Sequence, residues 1–378
     1  MDGGFSASSG HGSGSSWFGR WDIVIFYPIK LSTYRLKVLA RCADNIYMKL
    51  HAFYIFMTLS LIACESGSNR SSRSPNGQVA RTGAEATAVD FTGLFKDTWD
   101  ARAEDLSSKR PDCLNQIKIS TSRNVVVPWP QQEKNHIMTF FSSFPRSEML
   151  KESIFGMYLI EDDALAINLT CTRKDRKSYI FFVKSSMTVN GSFQAGFATT
   201  DHTLFMQAFD YPHAVALHEA MHAIDAYYFF DYETGILTPE RQKVAELSWT
   251  PGNLDQSRFR KISVTFLTGG TSAQQEAADL DYMANQTNFS CAYCMQNFQE
   301  DFAESFTNYY MGTRTKLWPS WRVFEKLPED PKTDQGIIAT ISVKSLLTKN
   351  EKQRQKLCAV AKLVLQEDCE TLLNQALK

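Results

Sequence analysis

Apolar side chains recur at helical spacing through much of the second half of the chain. The clearest helix follows Asp210, a residue type that caps helix N-termini, and Pro212, which suits a first turn; the letters HAVALHEAMHAIDAYYFF continue it for about five turns. Further helices are predicted for TPERQKVAEL and SAQQEAADLDYMA, which open on Thr and Ser, and for QNFQEDFAESFTNYYM, which Gly312 is expected to end. The tail from Asn350 onward is also predicted to be helical.

Between residues 112 and 200 the pattern is mixed. The letters SRNVVVPWP, YLIEDDALAINLTC and KSYIFFVKSSM contain short apolar runs typical of strands, whereas NHIMTFFSSF through KESIF favours helix. Asn190 and Gly191 indicate a turn between two strand-like pieces. We therefore predict an α+β fold in which a small sheet precedes a mainly helical half.

The segment HEAMH, residues 218–222, carries the candidate chemistry. His218 and His222 stand at positions i and i+4 of the predicted helix, so both imidazoles face the same way. Two neutral imidazoles suit Zn²⁺, and Glu219 lies beside the metal rather than on it, where it can take a proton from zinc-bound water. This is the division of roles that HExxH encodes in zinc peptidases. The alternative is a helix with two incidental histidines.

Catalytic zinc needs a third protein ligand and an open position. Asp225 is one candidate, since it lies three residues after His222 on the same helical face. The other is the pair Glu300 and Glu304, which share one face of a later predicted helix at i and i+4. There, one carboxylate can bind the metal while the other accepts the free ring N–H of a ligand His. The competing interpretation is an amphipathic helix with acidic outer residues.

These segments resemble the catalytic domain of anthrax toxin lethal factor and its relatives, which include secreted Pro-Pro endopeptidases. The resemblance rests on HEAMHAIDAYY, on a Tyr seven positions before a Glu, and on QEDFAESF, and it covers roughly residues 200–312. Met221 stands where the family commonly has Gly, and the stretch between the second His and the Glu is longer than in the toxin. The resemblance implies a zincin-like fold, a small sheet packed on the HExxH helix, and zinc-dependent peptide hydrolysis.

The resemblance also implies roles for individual residues. Glu300 matches the third zinc ligand, Glu304 matches its partner, and Asp225 matches a supporting position rather than a ligand. Tyr293 matches a tyrosine that points at the metal site, where it would donate a hydrogen bond to the oxyanion formed as water attacks the carbonyl. Without this match, Tyr293 would be interpreted as a surface loop residue. His213 is expected to be structural or to lie at the rim.

An apolar stretch near the start of the chain predicts export. Residues 48–64 comprise Met48, a lysine, an apolar run of about a dozen residues and the ending Leu-Ile-Ala-Cys, which is the pattern of a secretory signal peptide. The run is shorter than the roughly 18 to 20 residues that span a bilayer. Its ending resembles the lipobox of bacterial lipoproteins, which implies a diacylglycerol on the Cys64 thiol and cleavage just before it. The alternative, a buried helix ending in an ordinary Cys, is less favoured because a Ser/Gly/Asn/Arg-rich stretch follows.

The cysteine content bears on the compartment of the protein, and the net charge bears on its partners. The chain has 8 Cys, and those other than Cys42 and Cys64 are even in number, which suits disulfides in an exported protein. Their pairing stays open; a disulfide at CAYC, internal or to the C-terminal helix, could hold the loop that positions Tyr293. Cys358 and Cys369 would lie about 16 Å apart on one unbroken helix, so they pair only if the chain turns between them. The formal net charge of −1 gives a nucleic-acid partner no support.

Together these features predict a zinc endopeptidase that acts on a protein or peptide outside the cytoplasm, either membrane-anchored or secreted. Two alternatives stay open: a catalytically silent lipoprotein that binds a partner, and a metal hydrolase that acts on a non-peptide amide. Within the tether, residues 89–107 are predicted to form a short helix or two. The predicted organisation is a non-native or disordered extension (1–47), a signal peptide (48–64), a flexible tether (65–110), a zincin-like catalytic domain (111–330) and a C-terminal helical segment (331–378).

Overall fold

A computed structural model describes residues 89–107, 113, 125–161, 168–188, 197–206, 210–249, 256–328 and 333–378. The predicted extension over 1–47, the signal peptide over 48–64 and the lipidation site Cys64 lie outside these residues. Among the helices that the structure does describe, none combines the length and the apolar character needed to cross a membrane.

Two small sheets and a short hairpin account for the strands of the described residues. The strands are β1 (Phe95–Lys96), β2 (Val126–Val127), β3 (Ile154–Ile160), β4 (Leu169–Thr172), β5 (Ser178–Val183), β6 (Phe197–Ala198), β7 (Thr203–Met206), β8 (Phe230–Asp231), β9 (Ile236–Leu237), β10 (Ser320–Phe324) and β11 (Ile337–Ser342). The main sheet has the order β1-β3-β5-β4; β1 and β5 run parallel to β3, β4 runs antiparallel to β5, and β2 pairs antiparallel with β3. The second sheet is antiparallel with the order β11-β10-β7-β6, and β8 pairs with β9.

Helices dominate the second half of the described residues. They are α1 (Gln131–Ser142), α2 (Ser147–Ser153), α3 (Lys184–Met187), α4 (Tyr211–Ile224), α5 (Pro239–Glu246), α6 (Gln256–Thr268), α7 (Ala273–Gln286), α8 (Phe298–Thr315), α9 (Val343–Lys349), α10 (Glu351–Leu365) and α11 (Cys369–Leu377). Helix α4 lies in the core, where it packs against β4 and β5 of the main sheet and against α8. The α+β fold class predicted from the sequence is therefore confirmed.

The predicted helix starts are confirmed by their capping hydrogen bonds. The side chains of Asp210, Thr238 and Ser272 each accept from a backbone N–H in the first turn of α4, α5 and α7. The predicted end of α8 at Gly312 is wrong, because that helix continues to Thr315 and Lys316 takes the left-handed conformation that ends it. Gly312 has a different function: a Cβ there would lie 2.4 Å from the Trp318 ring, so only glycine admits this contact.

The prediction of one or two short helices over residues 89–107 is confirmed: short 3-10 helices span Thr92–Leu94 and Ala103–Asp105, and β1 lies between them. Phe91 and Phe95 of this segment are buried in the core. The Trp99 ring stacks 5.4 Å from the Phe181 ring of β5. Burial of these aromatic rings provides the free energy that orders the segment. A Ser/Gly-rich stretch has no comparable apolar surface to bury.

The C-terminal segment joins the same core as the helices before it. The Lys356 ammonium of α10, which is 1% exposed, donates to Asp301 of α8 at 2.7 Å and to the carbonyl of Asn288 at 2.7 Å. Burial lowers the pKa of Lys356, and the Asp301 carboxylate opposes this effect. A buried cation stabilises this fold only while its anionic partner is present.

Three disulfides link the cysteines that the structure describes. Cys358 pairs with Cys369, and the turn that this pair requires is present because Gln366 ends α10 in the left-handed conformation. The bridge at CAYC is internal, and the remaining pair joins a residue between β1 and β2 to β4. The pairs are Cys113–Cys171, Cys291–Cys294 and Cys358–Cys369.

Candidate functional site

Helix α4 and helix α8 supply the residues of the site. Most of the circumference of α4 is apolar and buried, through residues such as Leu217 and Met221, which is typical of a helix in the centre of a core. One polar stripe on α4 is formed by His218 and His222, and it faces α8 at the position of Glu300. The spacing of i and i+4 on α4 thus places both imidazoles opposite one carboxylate.

Three ligand-type atoms meet in a small triangle. His218 Nε2 lies 3.1 Å from His222 Nε2 and 3.2 Å from Glu300 Oε2, and His222 Nε2 lies 3.1 Å from the same oxygen. Ligand atoms that share a tetrahedral cation at about 2.0 to 2.1 Å are about 3.3 Å apart, so all three edges fit a zinc site. The two rings are inclined at 82°, which allows both in-plane lone pairs to point at one position.

Hydrogen bonds alone do not account for this triangle. If both Nε2 atoms of His218 and His222 carried protons and donated to Glu300, their mutual contact at 3.1 Å would bring two N–H groups together. If either Nε2 lost its proton, its contact with the ionised carboxylate would join two acceptors. A cation at the centre satisfies all three atoms at once, so the geometry favours metal binding.

The charges around the triangle also favour a positive ion. Burial alone disfavours an ionised Glu300 carboxylate, but the imidazoles of His222 and His218 hold its pKa well below the usual range. Burial likewise disfavours a charged His218, but Glu300 and Glu304 raise its pKa well above the ordinary value. The two carboxylates therefore stabilise positive charge at the point where the ring nitrogens converge.

Glu304 approaches the other nitrogen of His218. Its Oε1 lies 3.1 Å from Nδ1, although the contact is bent and does not meet the angle of a well-formed hydrogen bond. A proton on Nδ1 leaves the lone pair of Nε2 free to face the triangle. Glu304 therefore lies beside His218 and outside the triangle, which is the position that the sequence interpretation predicts for it.

Glu219 lies outside the triangle, and only 6% of its surface is exposed. Its carboxylate is turned towards β4, where the Thr170 hydroxyl lies 2.7 Å from Oε2. Nothing in the sequence pointed to Thr170, because contacts between a strand and a distant helix depend on tertiary packing rather than on local spacing.

Tyr293 lies beside the site on a short turn before α8. Its ring centre is 6.0 Å from that of His218. Burial raises the pKa of the Tyr293 hydroxyl well above its ordinary value, and the carboxylates of Glu300, Glu219 and Glu304 act in the same direction. A neutral hydroxyl held among carboxylates remains a hydrogen-bond donor at any physiological pH. The Cys291–Cys294 disulfide closes the turn that carries the ring.

Asp225, the first candidate for a third ligand, does not join the triangle. Its two oxygens accept from Arg241 Nε at 2.8 Å and from the Arg241 Nη2 at 3.3 Å, and both side chains are 1% exposed. The same guanidinium donates to the backbone carbonyl of Phe298, the first residue of α8, at 2.8 Å. Arg241 therefore ties the end of α4 to the start of α8, and Asp225 supports the site from a distance. Arg241 carries no local sequence signal that predicts this contact, because its partners are distant in the chain.

A second group of ligand-type side chains, His136, Asp210 and His213, lies at the start of α4. His136 Nε2 is 3.1 Å from Asp210 Oδ2, and the two imidazole rings stack 4.0 Å apart with only 10° between their planes. A metal lies near the plane of each ring that binds it, so two rings stacked face to face do not share one ion in this arrangement. The Phe140 ring stacks 4.2 Å from His213 on its other side. This aromatic column supports the expectation that His213 is structural.

We predict that His213 makes the stability of the fold depend on pH. Burial lowers its pKa from 6.5 to about 4; Asp210 opposes this effect and His136 adds to it. Between these values the unfolded chain binds more protons than the folded chain, so stability is present above pH 6.5 and is lost as the pH falls towards 4. The loss is expected to reach up to about 3 kcal/mol. Chemical denaturation at several pH values should show this slope in the wild type and a flatter one in His213→Phe; equal slopes would contradict the prediction.

No protein-family model matches this chain, and neither a curated protein nor a solved structure was found to match it.

Proposed function

We propose that this protein is a zinc-dependent endopeptidase with a zincin-like catalytic domain. The observation that carries the proposal is the triangle of His218 Nε2, His222 Nε2 and Glu300 Oε2, with edges of 3.1 to 3.2 Å. Two imidazoles and one carboxylate are a known ligand set of catalytic zinc, and they leave the fourth position free. The donor set, the edge lengths and the inclined rings all support Zn²⁺ as the ion.

When bound, zinc supplies Lewis-acid chemistry, because it polarises a carbonyl and lowers the pKa of water towards neutrality. Glu219 acts as the general base: it accepts a proton from the attacking water and passes it to the nitrogen of the leaving amine. Tyr293 donates a hydrogen bond to the oxygen that gains negative charge as the carbonyl is attacked. Glu219 is buried and Tyr293 is partly buried, which supports these roles, because electrostatic interactions are stronger in a site that contains little water.

The substrate that fits this proposal is a protein or peptide outside the cytoplasm. Three disulfides among the described residues support an exported protein, because disulfides persist in oxidising compartments. The lipobox-like ending at Cys64 extends the proposal to a lipoprotein anchored to the membrane by a diacylglycerol.

Metal dependence is the first test of this function. Purified protein is expected to contain one zinc ion per chain and to cleave members of a random peptide library. A strong chelator should remove both the zinc and the cleavage, and one equivalent of Zn²⁺ should restore them. The measurement is elemental analysis beside mass spectrometry of the products. Cleavage that persists in chelated, zinc-free protein would refute the mechanism, and bound zinc without any cleavage would favour the partner-binding lipoprotein.

A further inference from the structure

Thr170 forms the contact between the main sheet and the proposed general base. It lies in β4, pairs with Ile180 of β5, and is 4% exposed. Its Oγ1 lies 2.7 Å from Glu219 Oε2 and 3.0 Å from the backbone carbonyl oxygen of the same residue. One hydroxyl therefore lies within hydrogen-bond distance of both the side chain and the main chain of Glu219.

The two acceptors differ in strength. A hydroxyl has a single proton, and an ionised carboxylate is the stronger acceptor at the shorter distance, so Thr170 donates to Oε2 while Glu219 is charged. Oε1 of Glu219 takes no part in this hydrogen bond. Without the hydroxyl, a buried carboxylate on a flexible side chain loses a charge-assisted hydrogen bond and can take other rotamers.

We propose that Thr170 is a positioning residue that holds the Glu219 carboxylate in its working orientation through the hydrogen bond to Oε2. This rests on the proposed function of Glu219 as general base. An orientation defect affects the chemical step rather than the binding of zinc or substrate, so the expected signature is a lower kcat with unchanged KM.

β4 offers matched substitutions for the test. Thr170→Val keeps the shape and removes the hydroxyl, whereas Thr170→Ser keeps the hydroxyl. Thr172→Val makes the same change two positions along the strand, at a residue that is 3% exposed and whose Oγ1 has no hydrogen-bond partner. In the zinc-loaded full chain, Thr170→Val is expected to lower kcat roughly ten- to a hundredfold, and Thr170→Ser to stay within about threefold of the wild type. Thr172→Val should match the wild type.

The results separate positioning from packing. Wild-type kcat in Thr170→Val overturns the proposal. An equal loss of kcat in Thr172→Val also overturns it, because the effect would then come from the strand, and an equal loss in Thr170→Ser would assign the effect to the methyl group. Crystal structures of the zinc-loaded variants give a readout that does not need activity: Glu219 should occupy one rotamer in the wild type and several in Thr170→Val. If the wild type binds zinc but cleaves nothing, the proposed function fails, and a single Glu219 rotamer in Thr170→Val would still overturn the positioning role separately.

Discussion

Replacing Glu219 with Gln is expected to lower kcat by about 10²- to 10⁴-fold, the range that positioned general acid–base groups contribute. Glutamine has nearly the same shape but does not accept the proton of the attacking water at neutral pH. Glu219 is not part of the ligand triangle, so the variant should bind zinc as the wild type does. Its kcat on the best library peptide and its zinc content, measured on the same sample, check both halves of this expectation.

A matched control for the lost carboxylate is Glu240→Gln, an exposed residue in the first turn of α5. It changes the net charge equally and should leave kcat unaltered. Full activity in Glu219→Gln would remove the residue from the mechanism. If instead Glu219→Gln loses peptide cleavage while the biological function of the native protein persists, the partner-binding alternative gains support, because binding does not need a proton acceptor.

The parts of the site that could be predicted from the sequence are those that depend on local periodicity. The i and i+4 spacing of His218 and His222 defines one face of a helix wherever that helix lies. That Glu300, 78 residues after His222, belongs opposite them was suggested by a family resemblance and not by spacing alone. Thr170 and Arg241 were missed, because a threonine in a strand and an arginine in a helix carry no local signal until tertiary packing brings them to the site.

The same division applies to the fold. Helix starts at Asp210, Thr238 and Ser272 were predictable, since a cap forms hydrogen bonds within its own first turn. The function of Gly312 was not, because its neighbour Trp318 lies beyond the end of the helix and reaches it only through the fold. Strands β10 and β11 were not predicted either. Each is stabilised by hydrogen bonds to a neighbouring strand of the second sheet, and this pairing cannot be read from the residues of the strand itself.

Replacing Glu300 with Gln is expected to weaken zinc binding more than any other single carboxylate change at the site. It removes the only anionic ligand of the triangle and leaves a neutral amide that also presents N–H groups towards the metal. Glu304→Gln alters a group that contacts His218 Nδ1 rather than the metal, and the loss of such an outer partner typically costs roughly 10- to 100-fold in affinity. Competition with a chromogenic zinc chelator measures both affinities on one scale.

The order of the effects tests the assignment more sharply than their size. We expect Glu300→Gln to lose more affinity than Glu304→Gln, and Asp225→Asn to lose the least zinc affinity but the most stability. Asp225 is bound to the buried Arg241 and not to the triangle, and removing its charge leaves a buried guanidinium unpaired, which typically costs about 3 to 5 kcal/mol of folding free energy. Zinc affinity that depended on Asp225 as strongly as on Glu300 would show that the metal recruits the Asp225 carboxylate instead, and the triangle of His218, His222 and Glu300 would not be the binding site.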